Sequence, residues 1–76
     1  MATLHAGDIV TVLRLNLDSH RCLGRHPAAG ETGRIRTVIE GDGFVMYIVE
    51  HLHSDGTVDW VCDFDEGDLG LLSRPE

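Results

Sequence analysis

The stretch HRCLGRH brings together three side chains that can bind a metal ion, His20, Cys22 and His26. Histidine nitrogen and cysteine thiolate are ligands that zinc prefers, and a thiolate is also a nucleophile. Three ligands on one loop are one fewer than a closed tetrahedral zinc site needs. Arg21 and Arg25 lie between them and are suited to contact carboxylates. The stretch therefore supports two hypotheses, a metal or thiol site and a docking loop.

A second candidate metal site is the pair His51 and His53, whose spacing puts both imidazoles on one face of a strand. The pair supplies only two ligands, so a metal ion would need others from a distant loop or from another subunit. Packing of these rings on Trp60 is the alternative interpretation. All three metal candidates, His51, His53 and Cys22, are weak, and the sequence predicts no metal site.

We identify no set of nucleophile, base and acid residues in this sequence that could form a catalytic site. Ser19, Ser54 and Ser73 fall in turns or near the C-terminus, without a histidine in a fixed element beside them. The segments GDG and GETG lack the lysine and the following helix that a phosphate-binding loop requires. We therefore predict no catalytic residue and no cofactor.

The elements that must position these residues are strands. Short apolar runs separated by glycine and aspartate predict a single all-β domain over residues 1–76. The predicted strands cover residues 8–15, 32–40, 44–53, 58–64 and 70–73, with a long loop at 16–30 and a short 3-10 turn at 65–69.

Two turns predict the register of the central strands. Asp55-Gly56, taken as a two-residue loop, places one set of side chains on a common face. That set pairs His53 with Val58, His51 with Trp60, Val49 with Cys62 and Tyr47 with Phe64. Taking 41–43 as a three-residue loop extends the same core face. It also places Arg34 opposite Glu50 and Arg36 beside Ile48 on the outer face. The added core pairs are Ile39 with Val45, Thr37 with Tyr47 and Ile35 with Val49.

The cysteines are predicted to be free. The register places Cys62 in the core, where a cysteine behaves as a small hydrophobic residue, and a bond to Cys22 would have to draw the long loop inward. The N-terminus MATLHAGD has no signal-peptide pattern, and no apolar run approaches the ~20 residues of a membrane span. We therefore expect a cytoplasmic protein with reduced thiols and no membrane partner.

Charge narrows the class of partner. The net charge is -7, and the ten acidic residues of 40–76 face a single arginine there. Such a surface repels phosphate backbones, so nucleic-acid binding is disfavoured. Residues 1–39 instead carry five arginines, and those in or beside the 16–30 loop favour an encounter with an acidic protein surface.

The segments GDIVTVLR, GETGRI, YIVEH, a DG hairpin, a Trp-bearing strand and DEGDLGLL together resemble an SH3-like small barrel, over residues 7–72. KOW modules and the C-terminal domain of nitrile hydratase β subunits share this pattern. The resemblance implies a binding rim formed by residues 16–30, 41–43 and 65–68. Type II plasmid dihydrofolate reductases are also similar, but their Val-Gln-Ile-Tyr pore segment has no counterpart here, so their activity is disfavoured.

The sequence thus predicts a five-stranded SH3-like barrel over about 7–73, a meander of three central strands with a 3-10 turn before the last. It predicts a small, non-catalytic bacterial accessory protein or subunit that docks on an acidic protein partner. The predicted docking residues are Arg14, Arg21, Arg25, His20 and His26. The alternative is a binder of a small anionic ligand or a metal ion in an inter-subunit pocket of a homo-oligomer, and a homo-oligomer also fits the first function.

Overall fold

Six antiparallel strands form one sheet in the computed structural model, which describes residues 2–16 and 21–75. They are β1 (Ile9–Val12), β2 (Cys22–Gly24), β3 (Thr32–Gly41), β4 (Phe44–Leu52), β5 (Val58–Phe64) and β6 (Leu69–Ser73), with a 3-10 turn at Glu66–Asp68. Their order across the sheet is β2-β5-β4-β3-β1-β6. The predicted all-β class is confirmed. The described sheet has six strands rather than five and is not closed into a barrel, since β2 and β6 lie at separate edges.

Helical structure in the described chain is limited to that 3-10 turn. No described helix has the length and apolarity needed to cross a membrane. The turn itself agrees with the predicted one at 65–69. Asp68 closes it, because its backbone N–H donates to the Asp65 carbonyl at 3.0 Å and its carboxylate accepts the Asp65 N–H at 3.4 Å.

The core lies on one face of the curved sheet. Its buried side chains come from the N-terminal segment and five of the six strands: Leu4, Val10, Val12, Ile35, Tyr47, Val49, Trp60, Cys62, Phe64 and Leu69. The predicted core positions of Tyr47, Val49 and Trp60 are therefore confirmed. Those of Val58 and Ile39 are wrong, because these side chains are 51% and 43% exposed.

Ile39 is exposed because the β3–β4 turn is shorter than predicted. Gly41 pairs with Phe44, which leaves a two-residue loop and places Ile39 opposite Met46 and Val38 opposite Tyr47. The register then shifts between Ile35 and Thr37, with Arg36 as the extra residue of a β-bulge. This bulge returns Ile35 to the core face. The predicted pairs Ile35–Val49 and Arg34–Glu50 are consequently confirmed, although the three-residue loop is wrong.

The β4–β5 turn is longer than predicted. The His53 N–H donates to the Thr57 carbonyl at 2.7 Å, so three residues form the loop instead of two. Asp55 favours this form, because its Oδ1 accepts both the Thr57 N–H at 2.9 Å and the Thr57 hydroxyl at 2.6 Å. A register shift beyond His51 restores the predicted pairing of His51 with Trp60, whereas Val58 pairs with Leu52 instead of His53.

The 16–30 segment contains a strand that the sequence did not predict. Its β2 residues pair with β5, Cys22 opposite Cys62, Leu23 opposite Val61 and Gly24 opposite Trp60. β2 therefore forms one edge of the sheet. Arg21 immediately precedes this strand and Arg25 immediately follows it.

Candidate docking surface at the β2 edge

A disulfide joins Cys22 to Cys62 across the β2–β5 pair, with their Cα atoms 4.1 Å apart. The prediction of free cysteines is wrong, because the long loop does return to the sheet as a strand and brings Cys22 opposite Cys62. Cys62 is buried as expected, at 1% exposure, and Cys22 is partly exposed. Since the Cys22 sulfur is bonded, it offers no thiolate for a metal ion or for nucleophilic attack.

Gly24 allows β2 to approach β5 this closely. Its φ is +84°, and a Cβ at this position would lie 2.5 Å from the Asp59 carbonyl oxygen. Only glycine tolerates both conditions without strain. The next residue continues the contact, because the Arg25 N–H donates to that same Asp59 carbonyl at 3.1 Å.

The Arg25 guanidinium binds two carboxylates of its own chain. It donates to Asp59 from Nε at 3.0 Å and from Nη2 at 2.7 Å, and to Glu31 Oε2 from Nη1 at 3.0 Å. These hydrogen bonds hold the pKa of Glu31 and the pKa of Asp59 each at about 2. The sequence assigned Arg25 to an external acidic partner, but in the fold it anchors the segment after β2 to β5.

The other predicted docking residues are dispersed. Arg14 donates from Nε to Asp68 Oδ1 at 2.7 Å, so it holds the 3-10 turn. His26 is exposed beside buried Pro27. His20 lies outside the described residues. Of the described docking residues other than Arg25, Arg21 alone lies next to the β2 surface, exposed, with its backbone N–H donating to Asp63 Oδ1 at 2.6 Å.

The two histidines of β4 and the turn meet one carboxylate. His51 Nδ1 is 3.1 Å from Asp59 Oδ2 and His53 Nε2 is 3.8 Å from Asp59 Oδ1. His51 also stacks on Trp60 with ring centroids 6.1 Å apart, as the packing interpretation predicted. Among the residues that the structure describes, no group of three or more suitable side chains could hold a metal ion.

A mostly apolar groove of about 360 Å³ lies along the β2 edge. Leu23 is its most prominent side chain, at 74% exposure. Ile48 and Val61, both partly exposed, lie beside it on the outer face of the sheet. The groove is lined by Arg21, Cys22, Leu23, Ile48, Val61, Cys62 and Asp63. We refer to Leu23, Ile48 and Val61 as the β2 patch.

The sequence could have located part of this surface. The predicted register already put Ile48 and Val61 on the outer face, where apolar residues are unexpected. Leu23 was hidden in a segment interpreted as a loop, so its neighbours were unknown. The missed signal was the pair of cysteines, one in that loop and one on β5.

A second shallow depression, of about 280 Å³, lies on the other side of Glu50. Its walls include Ile9 and Leu52. Its polar groups are Thr32, His51 and the ion pair from Arg34 Nη2 to Glu50 Oε2 at 3.3 Å. Here the cation already has a carboxylate partner. The β2 patch is therefore the stronger candidate for binding an external group.

Comparison of the chain with protein-family models, with curated proteins and with solved structures found no match.

Proposed function

We propose that this chain is a non-catalytic protein-interaction module that binds an extended, acidic and apolar segment of a partner protein at the β2 patch. The observation that carries the proposal is the exposure of Leu23 beside Val61 and Ile48 on a sheet edge that is covalently fixed. A contiguous apolar patch on a small domain marks an interaction surface, and a rigid patch loses little entropy on binding.

The acidic character of the partner follows from which arginines are already paired. Arg14, Arg25, Arg34 and Arg74 each form an ion pair within the chain. Within the described residues, Arg21 and Arg36 form none. Arg21 lines the groove, and Arg36 precedes Thr37, the residue paired with Ile48. The Arg21 cation in the lining of an apolar groove complements a carboxylate that lies between apolar side chains of a partner.

We also propose that the chain is related to SH3-like barrels, which would support the same class of function. The first and last strands pair with each other, β1 also pairs with the start of β3, and a 3-10 turn precedes β6. This connectivity is compatible with the SH3-like barrels that the sequence resembles. We propose that the chain is a small bacterial accessory protein acting in the cytoplasm, where a disulfide such as Cys22–Cys62 is usually transient and redox-sensing.

The test is an NMR titration of the isotope-labelled chain, kept oxidised, with a peptide that alternates Glu and Val. The expected result is a set of amide shift changes centred on Leu23, Ile48 and Val61. Leu23→Ser should weaken the affinity roughly tenfold, because one buried leucine side chain is lost from the interface. Leu72→Ser is the matched control, since Leu72 is an exposed leucine on the edge strand at the opposite side of the sheet.

Two results would count against the proposal. Shift changes that avoid the β2 patch, or none at all, would contradict it. Equal binding of a peptide that alternates Lys and Val would contradict the acidic partner. Light scattering on the free chain covers the homo-oligomer alternative, because a dimer abolished by Leu23→Ser would identify a second copy as the occupant.

A further inference from the structure

We propose that the Cys22–Cys62 disulfide is a redox control of the β2 patch: its reduction releases the start of β2 from β5 and lowers affinity for the partner. This inference rests on the proposed function. It begins from the fact that β2 is the only described strand joined to the sheet by a covalent bond.

The non-covalent attachment of β2 is uneven along its length. On the C-terminal side of Gly24, Arg25 binds Asp59 with both its backbone N–H and its guanidinium. On the N-terminal side, the exposed Arg21 N–H donates to Asp63 Oδ1, and the Arg21 carbonyl accepts the Asp63 N–H. Reduction should therefore free residues 21–23, while the Arg25 end stays attached.

Gly24 provides a hinge between these two parts. It has no side chain to pack, and its φ of +84° lies in a region that glycine leaves readily. The three residues before it include Leu23, which the disulfide and the ladder hold against Val61. Without the disulfide, Leu23 is the large apolar side chain left in this segment. It is 74% exposed, so its burial contributes little to holding the strand in place.

The binding groove depends on the same bond. Arg21, Cys22 and Leu23 form its β2 wall, and both cysteines belong to its lining. Movement of residues 21–23 would remove that wall, including Leu23, which we place at the centre of the contact. The change in affinity follows from loss of the surface rather than from a change in charge.

The reaction is thiol–disulfide exchange with a dithiol reductant. A thiolate of the reductant attacks the sulfur of partly exposed Cys22, forming a mixed disulfide and expelling the Cys62 thiolate, which takes up a proton. The second thiol of the reductant then attacks its own sulfur in the mixed disulfide and releases Cys22. Two electrons pass to the protein, which gains two thiols, while the dithiol becomes a disulfide. Dithiols of this kind keep cytoplasmic thiols reduced.

The experiment measures amide hydrogen exchange and peptide affinity on the same sample, oxidised, reduced with dithiothreitol and then reoxidised. On reduction we expect exchange at Cys22 and Leu23 to approach that of an open segment. Protection in β4 and β6 should fall only by the loss in global stability and should persist. The affinity for the Glu–Val peptide should be lowered roughly tenfold, as expected for loss of the Leu23 contact. Reoxidation should restore both. The Cys22→Ala variant should behave as the reduced chain with or without dithiothreitol.

Several outcomes would overturn the inference. One is unchanged exchange at Leu23 after confirmed reduction. Another is faster exchange with unchanged affinity. A third is complete loss of protection throughout β4, because that would be global unfolding, and the fluorescence of buried Trp60 would report it independently. If the oxidised chain bound no peptide, the proposed function would have failed, and the exchange measurement would still decide whether the strand is released.

Discussion

At one edge of the sheet β6 pairs with β1 over four residues, and at the other edge β2 pairs with β5 over three. The β6 edge is closed by an ion pair in which Arg74 binds Asp8, a side chain only 1% exposed. The β2 edge is closed by a disulfide. Reductants do not affect the ion pair, but acid weakens it by protonating Asp8. Reductants break the disulfide, and acid does not affect it. The chain thus has one edge whose closure reductants leave intact and one whose closure they can break.

The disulfide should give the largest effect. It links residues 40 positions apart, and closing a loop of that length in the unfolded chain stabilises the fold by about 4 kcal/mol. Since small domains are stable by only about 5–15 kcal/mol, Cys22→Ala should lower the urea midpoint markedly. The control is wild type with reductant, which should lose a similar amount. Equal midpoints for the oxidised and reduced chain would remove the distinction between the two edges.

The ion pair at the β6 edge should come second. Arg74 donates from Nε and Nη2 to Asp8 and from Nη2 to the Thr3 carbonyl at 3.1 Å, which ties the C-terminal segment to the N-terminal one. Arg74→Ala would leave a buried carboxylate unpaired and should cost about 2–3 kcal/mol by chemical denaturation.

This loss should not depend on reductant. If Arg74→Ala destabilised the oxidised chain but not the reduced one, the two edges would be coupled rather than independent. The Arg74 hydrogen bond also lowers the pKa of Asp8, so the contribution of Asp8 is present above the ordinary value of 3.8 and is lost as the pH falls below it.

A smaller effect distinguishes two reasons why glycine is needed at position 24: the close approach of β2 to β5, and the positive φ of this residue. Gly24→Ala and Gly30→Ala both replace a glycine at positive φ, but only Gly24 has a backbone oxygen within 4 Å of its Cβ position. Both should lose about 1 kcal/mol from backbone strain. Gly24→Ala should lose more and should also speed hydrogen exchange in β2. Equal destabilisation in thermal melts would show that the β2–β5 approach is not tight at this point.

The weakest expected difference concerns acid. The pKa values of Glu31 and Asp59 are each held at about 2 by Arg25, below their ordinary values of 4.5 and 3.8. Their stabilisation is therefore complete above about pH 4.5 and is lost as the pH falls toward 2. The stability advantage of wild type over Arg25→Gln, measured by urea unfolding between pH 2 and pH 6, should shrink over that window. An advantage that stayed constant would contradict the Arg25 contacts.

Five of the six described strands could be predicted from the sequence because each of the five carries its own apolar pattern and turn residues. The centre of the β4–β5 pairing was predictable for the same reason, since Trp60, Cys62 and Phe64 share one face of β5 while Asp59 and Asp63 lie on the other. The lengths of the turns and the position of the bulge could not be predicted. A two-residue β3–β4 loop with a bulge at Arg36 places Ile35 on the core face just as a three-residue loop without a bulge would, so the core pattern does not distinguish them.

The docking surface was less accessible than the strands. The three-residue β2 has no periodic pattern of its own, and its pairing partner is about forty residues away. The arginines of the 16–30 segment were expected to face a partner, but Arg25 finds Glu31 and Asp59 once β2 has formed. Neither contact can be inferred without the tertiary pairing. A loop of that length in a small domain was itself an indication that a strand had been missed.

The most direct test of the account is disulfide mapping by mass spectrometry on protein purified without reductant and alkylated while folded and after unfolding. Neither cysteine should be alkylated in either state, and digestion should yield one cross-linked peptide joining Cys22 to Cys62. Rapid alkylation of Cys22 in the folded chain, with Cys62 modified only after unfolding, would contradict it. The β2 edge would then lack its covalent closure.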